Sequence, residues 1–221
     1  MSRPALRHFV GLDLGQVRDF TALAVLERSP PTDAGTAVQQ SEYALRHLHR
    51  FALGTPYTEI VPSVAALVRS GPLAESPVVV DQTGVGRAVV DLLRQSAGWV
   101  IPVTITGGHA VTGAQDGSFH VPKKELVTAL QVVLQARRLQ IARGLADAAT
   151  LVRELQNFQV KLTAAANETF GVWREGQHDD LVLAVALACW WAERHPPAHE
   201  GMFGGGGESL FANPPEGVFL T

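Results

Sequence analysis

The stretch HDDLVLAVALACWW, residues 178–191, places two adjacent acids at the start of a long apolar run. Asp179 and Asp180 are followed by twelve apolar residues that end at Ala192. A helix that is apolar on every side is typical of a protein interior. An unpaired carboxylate is expensive to bury there, so the two acids should either cap the helix in water or hold a cation.

The composition of the chain indicates one large globular domain. Of its 221 residues, 46% are apolar and 18% charged, and a net charge of −3 gives no overall basic field for nucleic acid. The single cysteine, Cys189, excludes an internal disulfide. It favours a reducing compartment, or one whose redox state does not affect the protein. The N-terminal residues lack the apolar core of a signal peptide, and the run at 181–192 is shorter than the ~20 residues that span a bilayer. We therefore expect a cytoplasmic protein that does not associate with membranes.

Local patterns predict an α/β fold with a mixed sheet, in which an antiparallel meander is followed by parallel strands. Three strand patterns joined by turns open the chain, as in a meander. Strand and helix patterns then alternate, which predicts parallel pairing with right-handed crossovers. The predicted strands lie at residues 8–15, 19–28, 43–53, 76–84 and 99–107, with a β-hairpin at 158–175 before the last helix. The earlier helices are predicted at residues 57–71 (with Thr58 as N-cap), 85–98, 121–139 and 145–158, and a glycine-rich loop at 107–119.

Two acids stand at the ends of apolar strands. Asp13 ends the first strand and Asp81 the fourth, and each is followed by a glycine two or three residues later. Taken singly, Asp13 could be a turn residue, and Asp81 or an acid of the 179–180 pair a helix cap. If the first and fourth strands are neighbours, however, both carboxylates lie at one edge of the sheet, where sites of open sheets collect. The last helix would then supply a third carboxylate.

Converging carboxylates predict a divalent metal site. They repel one another unless a cation neutralises them, and Mg²⁺ and Mn²⁺ prefer oxygen ligands. Two such ions ~3.5–4 Å apart can activate a water and stabilise the leaving oxygen of a phosphodiester. A zinc site is disfavoured, because the chain has one cysteine and its eight histidines show no ligand pattern.

Four segments together resemble the nuclease domain of bacteriophage terminase large subunits, which belong to the ribonuclease H-like superfamily with the Holliday-junction resolvases. The resemblance covers residues 8–193 and implies a ribonuclease H-like fold with Asp13, Asp81 and Asp180 as the catalytic, metal-binding triad. Asp179 would be an additional or alternative ligand, since adjacent helical residues point ~100° apart. The segments are GLDLGQVRDFTALAV (11–25), VVVDQTGVG (78–86), VPKKELV (121–127) and HDDLVLAVALA (178–188).

The resemblance also implies a function and partners. It predicts a metal-dependent endonuclease that cuts concatemeric double-stranded viral DNA during genome packaging, with Mg²⁺ or Mn²⁺ and with two ions when DNA is bound. The expected partners are the DNA and a packaging ATPase domain or subunit, with the portal as a further candidate. The chain has no GxxxxGK[ST] phosphate loop, so we expect either an isolated nuclease domain or a free-standing relative.

The remaining candidates are less specific. His178 is a candidate to assist the metal ligands or the leaving group. The alternative is that it is an ordinary residue near the start of the helix, without a role in catalysis. We expect a nuclease domain at residues 1–195 and a flexible Gly/Pro-rich tail at 196–221. Alternative functions are a single-lobe nucleotide-binding protein of the sugar-kinase or actin-like fold, and a non-catalytic docking module of the packaging machinery. Candidate DNA phosphate contacts are Lys123, Lys124, Lys161 and Arg174.

Overall fold

The structure of the chain is a computed structural model. It describes residues 7–15, 19–29, 40–85, 87–157, 159–162, 168–171 and 178–197. Within these residues the strands are β1 (His8–Asp13), β2 (Ala22–Arg28), β3 (Tyr43–Arg50), β4 (Val78–Asp81), β5 (Val100–Thr106), β6 (Thr112–Gly113), β7 (Phe119–Pro122), β8 (Leu139–Ile141), β9 (Gln159–Leu162) and β10 (Glu168–Gly171). The helices are α1 (Tyr57–Val68), α2 (Arg87–Ala97), α3 (Lys123–Gln135), α4 (Ala148–Asn157) and α5 (Asp180–Arg194).

Eight of these strands form one mixed sheet in the order β6-β7-β5-β4-β1-β2-β3-β8. Strands β1, β2 and β3 pair antiparallel as a meander, and β4 and β5 continue the sheet in parallel with β1. Strands β9 and β10 pair antiparallel with each other, separately from this sheet. The predicted mixed sheet flanked by helices and the strand pair before the last helix are confirmed.

Side-chain alternation along β1 divides the core between the two faces of the sheet. Phe9 packs in a cluster with residues of α3, α4 and α5, whereas Val10 and Leu12 pack in a cluster with residues of α1 and α2. A central strand buried on both faces needs a nearly continuous apolar sequence, and β1 has one. The strand that ends in Asp13 is therefore fixed by packing from above and below.

Helix α5 lies directly on β1. Its residues 180–192 are all buried, because the sheet covers one side of the helix and α3 and α4 cover the other. This close approach needs a glycine in the strand, since a Cβ at Gly11 would overlap the carbonyl oxygen of Ala184. The uniformly apolar sequence of α5 thus reflects its place in the middle of the core.

Three local predictions are wrong. Thr58 does not cap α1, which begins one residue earlier and after Pro56, whose backbone is extended. The helix predicted at 121–139 is shorter at both ends, because Pro122 is extended (φ −57°, ψ 135°) and Arg137 adopts a left-handed backbone (φ 56°). The loop predicted at 107–119 contains strand β6 and the start of β7, and β8 was not predicted.

Parts of the sequence-based predictions lie outside the described residues. These include the predicted tail from residue 198 onward, and the segments 163–167 and 172–177 around the strand β10. Among the helices that the structure describes, none combines the length and the apolar character needed to cross a membrane.

Candidate active site

Asp13 and Asp81 are the last residues of β1 and β4, which pair in parallel with these two residues in register. Both carboxyl groups therefore lie at the same edge of the sheet. Gly11 precedes Asp13 by two residues and faces α5, and Val79 precedes Asp81 by two residues and packs in the same core cluster as α5. Because side chains alternate along a strand, both acids point toward α5 as well. Only 7% of Asp13 and 8% of Asp81 is exposed. The first and fourth strands are thus neighbours, which is the condition on which the convergence of these two acids depended.

Two further acids stand at the start of α5. Asp180 is the first residue of the helix and is buried, and Asp179 occupies the N-cap position without making a side-chain capping bond. Burial raises the pKa of Asp13 well above its usual value, and repulsion from Asp81, Asp180 and Asp179 raises it further. Asp13 thus interacts electrostatically with each of the other three predicted carboxylates, and these four residues are called the acidic cluster.

The other two buried acids also have raised pKa values. Burial raises the pKa of Asp81, while hydrogen bonds from Thr83, including its backbone N–H at 2.8 Å from Oδ1, lower it in part. Burial likewise raises the pKa of Asp180, against the opposing effect of Arg50. The three carboxyl groups are thus harder to ionise than ordinary aspartates, and a bound cation would favour their charged forms.

A lysine from α3 reaches this cluster. Lys123 follows directly after β7, and its Nζ lies 2.8 Å from Oδ2 of Asp179. Its charge also lowers the pKa values of Asp13 and Asp81, although burial outweighs it at both. Lys123, one of the four predicted DNA phosphate contacts, therefore forms an ion pair with a candidate metal ligand.

An arginine that was not predicted contacts the acid that begins α5, and it also contacts a glutamate that was not predicted. Nη2 of Arg50, the last residue of β3, lies 3.3 Å from Oδ2 of Asp180 and forms a shorter ion pair with Oε1 of Glu154. Glu154 lies on the buried side of α4, three residues after the fully buried Leu151. An acid on the apolar stripe of a helix was the signal that could have identified it.

His178 lies beside Asp180, with Nδ1 3.8 Å from Oδ2 of that residue, and its assisting role stays a prediction. Its ring packs edge-on against Phe20 at a centroid distance of 4.7 Å. Phe20 in turn lies under the guanidinium of Arg50, with Cζ 4.6 Å from the ring centroid. The aromatic ring thus joins the histidine and the arginine around one carboxylate.

The other candidate DNA contacts are less well placed by the structure. Lys124 is exposed on the first turn of α3. Lys161 is a backbone register partner of Thr169 in the β9–β10 pair. Arg174 lies outside the described residues. Their role in binding DNA stays a prediction.

A cavity of about 490 Å³ opens beside the turns that follow β1 and β4. Tyr57 lines it, and its hydroxyl donates a hydrogen bond to the carbonyl oxygen of Gly15 at 2.7 Å. The nearby Asp13 carboxylate contributes, after burial, to a raised pKa of Tyr57. Asp19, Thr21 and Gly84 also line the cavity. It therefore lies next to the acidic cluster, on the side of α1.

The donor set suits a hard divalent cation. Asp13, Asp81, Asp179 and Asp180 offer only carboxylate oxygens, the ligand type that Mg²⁺ and Mn²⁺ prefer. In the part of the chain that the structure describes, no three His, Cys, Asp or Glu side chains are grouped closely enough to hold a metal ion as they stand. In this arrangement, Lys123 and Arg50 engage the two acids of α5.

Comparisons with known proteins point to one group of relatives. No protein-family model matches the chain. The terminase large subunits of Thermus virus P23-45 and Thermus phage G20c are 24% and 25% identical to it over 186 residues, 84% of this chain. That match takes in 32% of each relative, so the chain spans about a third of their length.

Solved structures show the same fold. The large terminase nuclease of phage G20c with bound magnesium matches with a TM-score of 0.59 and 24% identity, over 85% of this chain and 82% of that one. The nuclease domain of the phage SPP1 large terminase with bound Mn matches with a TM-score of 0.50 and 11% identity, over 82% and 84%. The chain thus has a ribonuclease H-like fold and is similar in sequence and structure to the nuclease domains of phage terminase large subunits.

Proposed function

We propose that the chain is a metal-dependent endonuclease that cuts double-stranded DNA during phage genome packaging. The observation that carries the proposal is the register pairing of Asp13 with Asp81 at the edge where α5 begins with two more acids. The similarity to terminase large subunits supports it. The bound magnesium and Mn in the related nucleases of G20c and SPP1 support a divalent cofactor.

In the proposed site, Asp13, Asp81 and Asp180 hold the metal and Asp179 is an additional ligand. When bound, two Mg²⁺ or Mn²⁺ ions would supply an activated water and stabilise the leaving oxygen of the phosphodiester. The strand ladder holds Asp13 and Asp81 rigidly, and the N–H of Thr83 orients one oxygen of Asp81. Burial of these carboxylates excludes bulk water from their inner side.

The neighbouring side chains have supporting roles in this proposal. Lys123 holds Asp179, and Arg50 holds Asp180, so the two acids of α5 have fixed directions before a substrate arrives. His178, with Nδ1 3.8 Å from the Asp180 carboxylate, would assist that ligand or donate a proton to the leaving group. Lys124, Lys161 and Arg174 would contact phosphates and give sequence-independent, salt-sensitive affinity.

The wider setting of this activity is also proposed. Residues 1–195 would form the nuclease domain and residues 196–221 a flexible tail. A packaging ATPase, as a domain or a separate subunit, would deliver concatemeric DNA to the site, with the portal as a further partner. The enzyme would then act in the cytoplasm of an infected host.

Plasmid cleavage tests the proposal. The purified chain is expected to relax and linearise supercoiled plasmid with Mn²⁺ or Mg²⁺, and EDTA should abolish this. Asp81→Asn is expected to abolish it as well, whereas Asp91→Asn, a matched change of a half-exposed acid on α2, should retain it. Cleavage that survives Asp81→Asn would exclude the proposed site.

A second candidate function is nucleotide binding of the sugar-kinase or actin-like kind. The observation that favours it is the cavity between the turns after β1 and β4, which Gly15 and Gly84 line. Hydrolysis of ATP by the chain, without cleavage of DNA in the same metal-containing buffer, would favour this alternative. Cleavage of DNA without ATP hydrolysis would favour the nuclease.

A further inference from the structure

The guanidinium of Arg50 lies between two carboxylates, one of which belongs to the candidate active site. Its Nη2 contacts Asp180 at 3.3 Å and Glu154 at a shorter distance. The Arg50 side chain is 16% exposed and that of Glu154 6%. Because these groups are shielded from water, their charges interact more strongly than those of a surface pair.

Glu154 also fixes the helix that carries Asp180. Its Oε2 accepts hydrogen bonds from the backbone N–H groups of Leu181 and Val182, at 3.0 and 3.2 Å. These groups belong to the first turn of α5, where the N-cap residue makes no side-chain bond. The helix dipole favours a carboxylate at this position as well. Glu154 is therefore anchored to α5 independently of Arg50.

Arg50 is held on its other sides too. Its guanidinium stacks on the ring of Phe20, and its backbone N–H donates to Oδ2 of Asp147 at 2.9 Å. Of its two carboxylate partners, Glu154 is the one that is anchored to the α5 backbone through its other oxygen. The contact to Asp180 is thus the one that Arg50 can give up while it keeps Glu154 and Phe20.

We propose that Arg50 is an internal counter-cation that competes with a divalent ion for Asp180, and that Glu154 limits this competition by retaining the guanidinium. The inference rests on the proposed metal site. When a cation takes the carboxylate of Asp180, Arg50 loses one partner and keeps the other, so no buried charge is left unpaired. Arg50 and Glu154 are positioning residues, which set how tightly the site takes a metal.

Mn²⁺ binding to the full chain, measured by isothermal titration calorimetry, tests this with two substitutions of opposite effect. Arg50→Gln removes the competitor and is expected to tighten binding about fivefold, the lower end of typical coupling between sites. Glu154→Gln keeps an oxygen for the α5 N–H groups but leaves Arg50 to Asp180 alone, so binding is expected to weaken about fivefold. Arg50→Lys keeps the charge and should bind much as the unsubstituted chain does. Weaker binding by both glutamine variants would indicate a purely structural role and overturn the inference.

Arg143→Gln separates direct competition from a general change of charge. Arg143 is exposed in the segment between β8 and α4, and the loss of its charge is expected to change Mn²⁺ affinity less than about twofold, since solvent and salt screen it. The effect of Arg50→Gln should persist at about 1 M salt, where the Debye length is ~3 Å. Equal effects of the two substitutions, or loss of the Arg50→Gln effect in high salt, would overturn the inference.

The result for the unsubstituted chain separates this inference from the proposed function. If that chain takes up no Mn²⁺, the proposed metal site fails and the inference fails with it. If it binds Mn²⁺ but Arg50→Gln does not tighten binding, the inference alone fails. Thermal unfolding in EDTA checks that each variant folds. Should Arg50→Gln not fold, Glu154→Gln decides, because unchanged or tighter binding by that variant also overturns the inference.

Discussion

Asp13 and Asp81 are paired directly across two parallel strands, so the backbone ladder rather than a loop sets the distance between them. Both strands are buried on both faces, and neither acid can move away from the other without breaking the sheet. Burial and mutual repulsion together raise the pKa of Asp13. The metal-free chain therefore holds carboxylates whose charges oppose folding, which is the usual trade between function and stability.

The first prediction is that Asp13→Asn stabilises the metal-free chain while it abolishes metal-dependent cleavage. An amide of the same shape removes the repulsion, and we expect the free energy of unfolding to rise by about 0.5–2 kcal/mol. Urea unfolding in EDTA measures this. The control Asp91→Asn, which changes a half-exposed acid of α2, should change stability by less than about 0.5 kcal/mol. A less stable Asp13→Asn variant would contradict the prediction.

The second prediction concerns pH. Because the pKa of Asp13 is raised in the folded state, that state keeps its proton after the unfolded chain has lost it. The contribution of Asp13 to stability is thus fully present below the ordinary value of 3.8 and is lost as pH rises through the raised pKa. The difference in unfolding free energy between Asp13→Asn and the unsubstituted chain in EDTA should therefore grow with pH. A difference that is constant between pH 4 and 8 would exclude this account.

The sequence was sufficient to predict the acids and the strands that carry them, because both follow from local patterns. Asp13 and Asp81 each end an apolar run, and the division of the sheet into an antiparallel meander and parallel strands follows from short connections and right-handed crossovers. The apolar run after Asp180 likewise predicts a buried helix. These features depend on residues that are close together along the chain.

The residues that hold Asp180 in place could not be predicted in the same way. Arg50 and Glu154 are 104 residues apart along the chain, and Glu154 and Asp180 are 26 residues apart. No spacing rule connects these three residues. Strand β8 was missed because its three residues are too few to show a pattern. Contacts made only by the tertiary fold leave little trace in a single sequence.

The third prediction tests the contact that places α5 over the site. A Cβ at Gly11 would overlap the backbone oxygen of Ala184, so Gly11→Ala must push the helix away from β1. We expect a loss of at least about 1–3 kcal/mol of unfolding free energy, as for an overpacked core. Because α5 carries Asp180, metal-dependent cleavage should fall as well. Gly144→Ala is the matched control, since a Cβ there meets nothing within 4 Å. Equal stability of the two variants would contradict the packing of α5 on β1.

The fourth prediction separates the two ends of α5. Glu193 accepts two hydrogen bonds from the buried guanidinium of Arg138, at 2.9 and 2.6 Å, and one from the Tyr43 hydroxyl at 2.6 Å. Glu193→Ala leaves that guanidinium without its carboxylate partner and should lower the unfolding free energy by about 3 kcal/mol. Since Glu193 lies ~20 Å along the helix from Asp180, Mn²⁺ affinity of the folded variant should not change. Glu125→Ala, which removes a half-exposed acid 3.8 Å from Arg194, should cost less than about 1 kcal/mol. Chemical unfolding and calorimetric titration of the same samples measure both quantities, and a large loss of Mn²⁺ affinity in Glu193→Ala would mean that the far end of α5 also positions the acids.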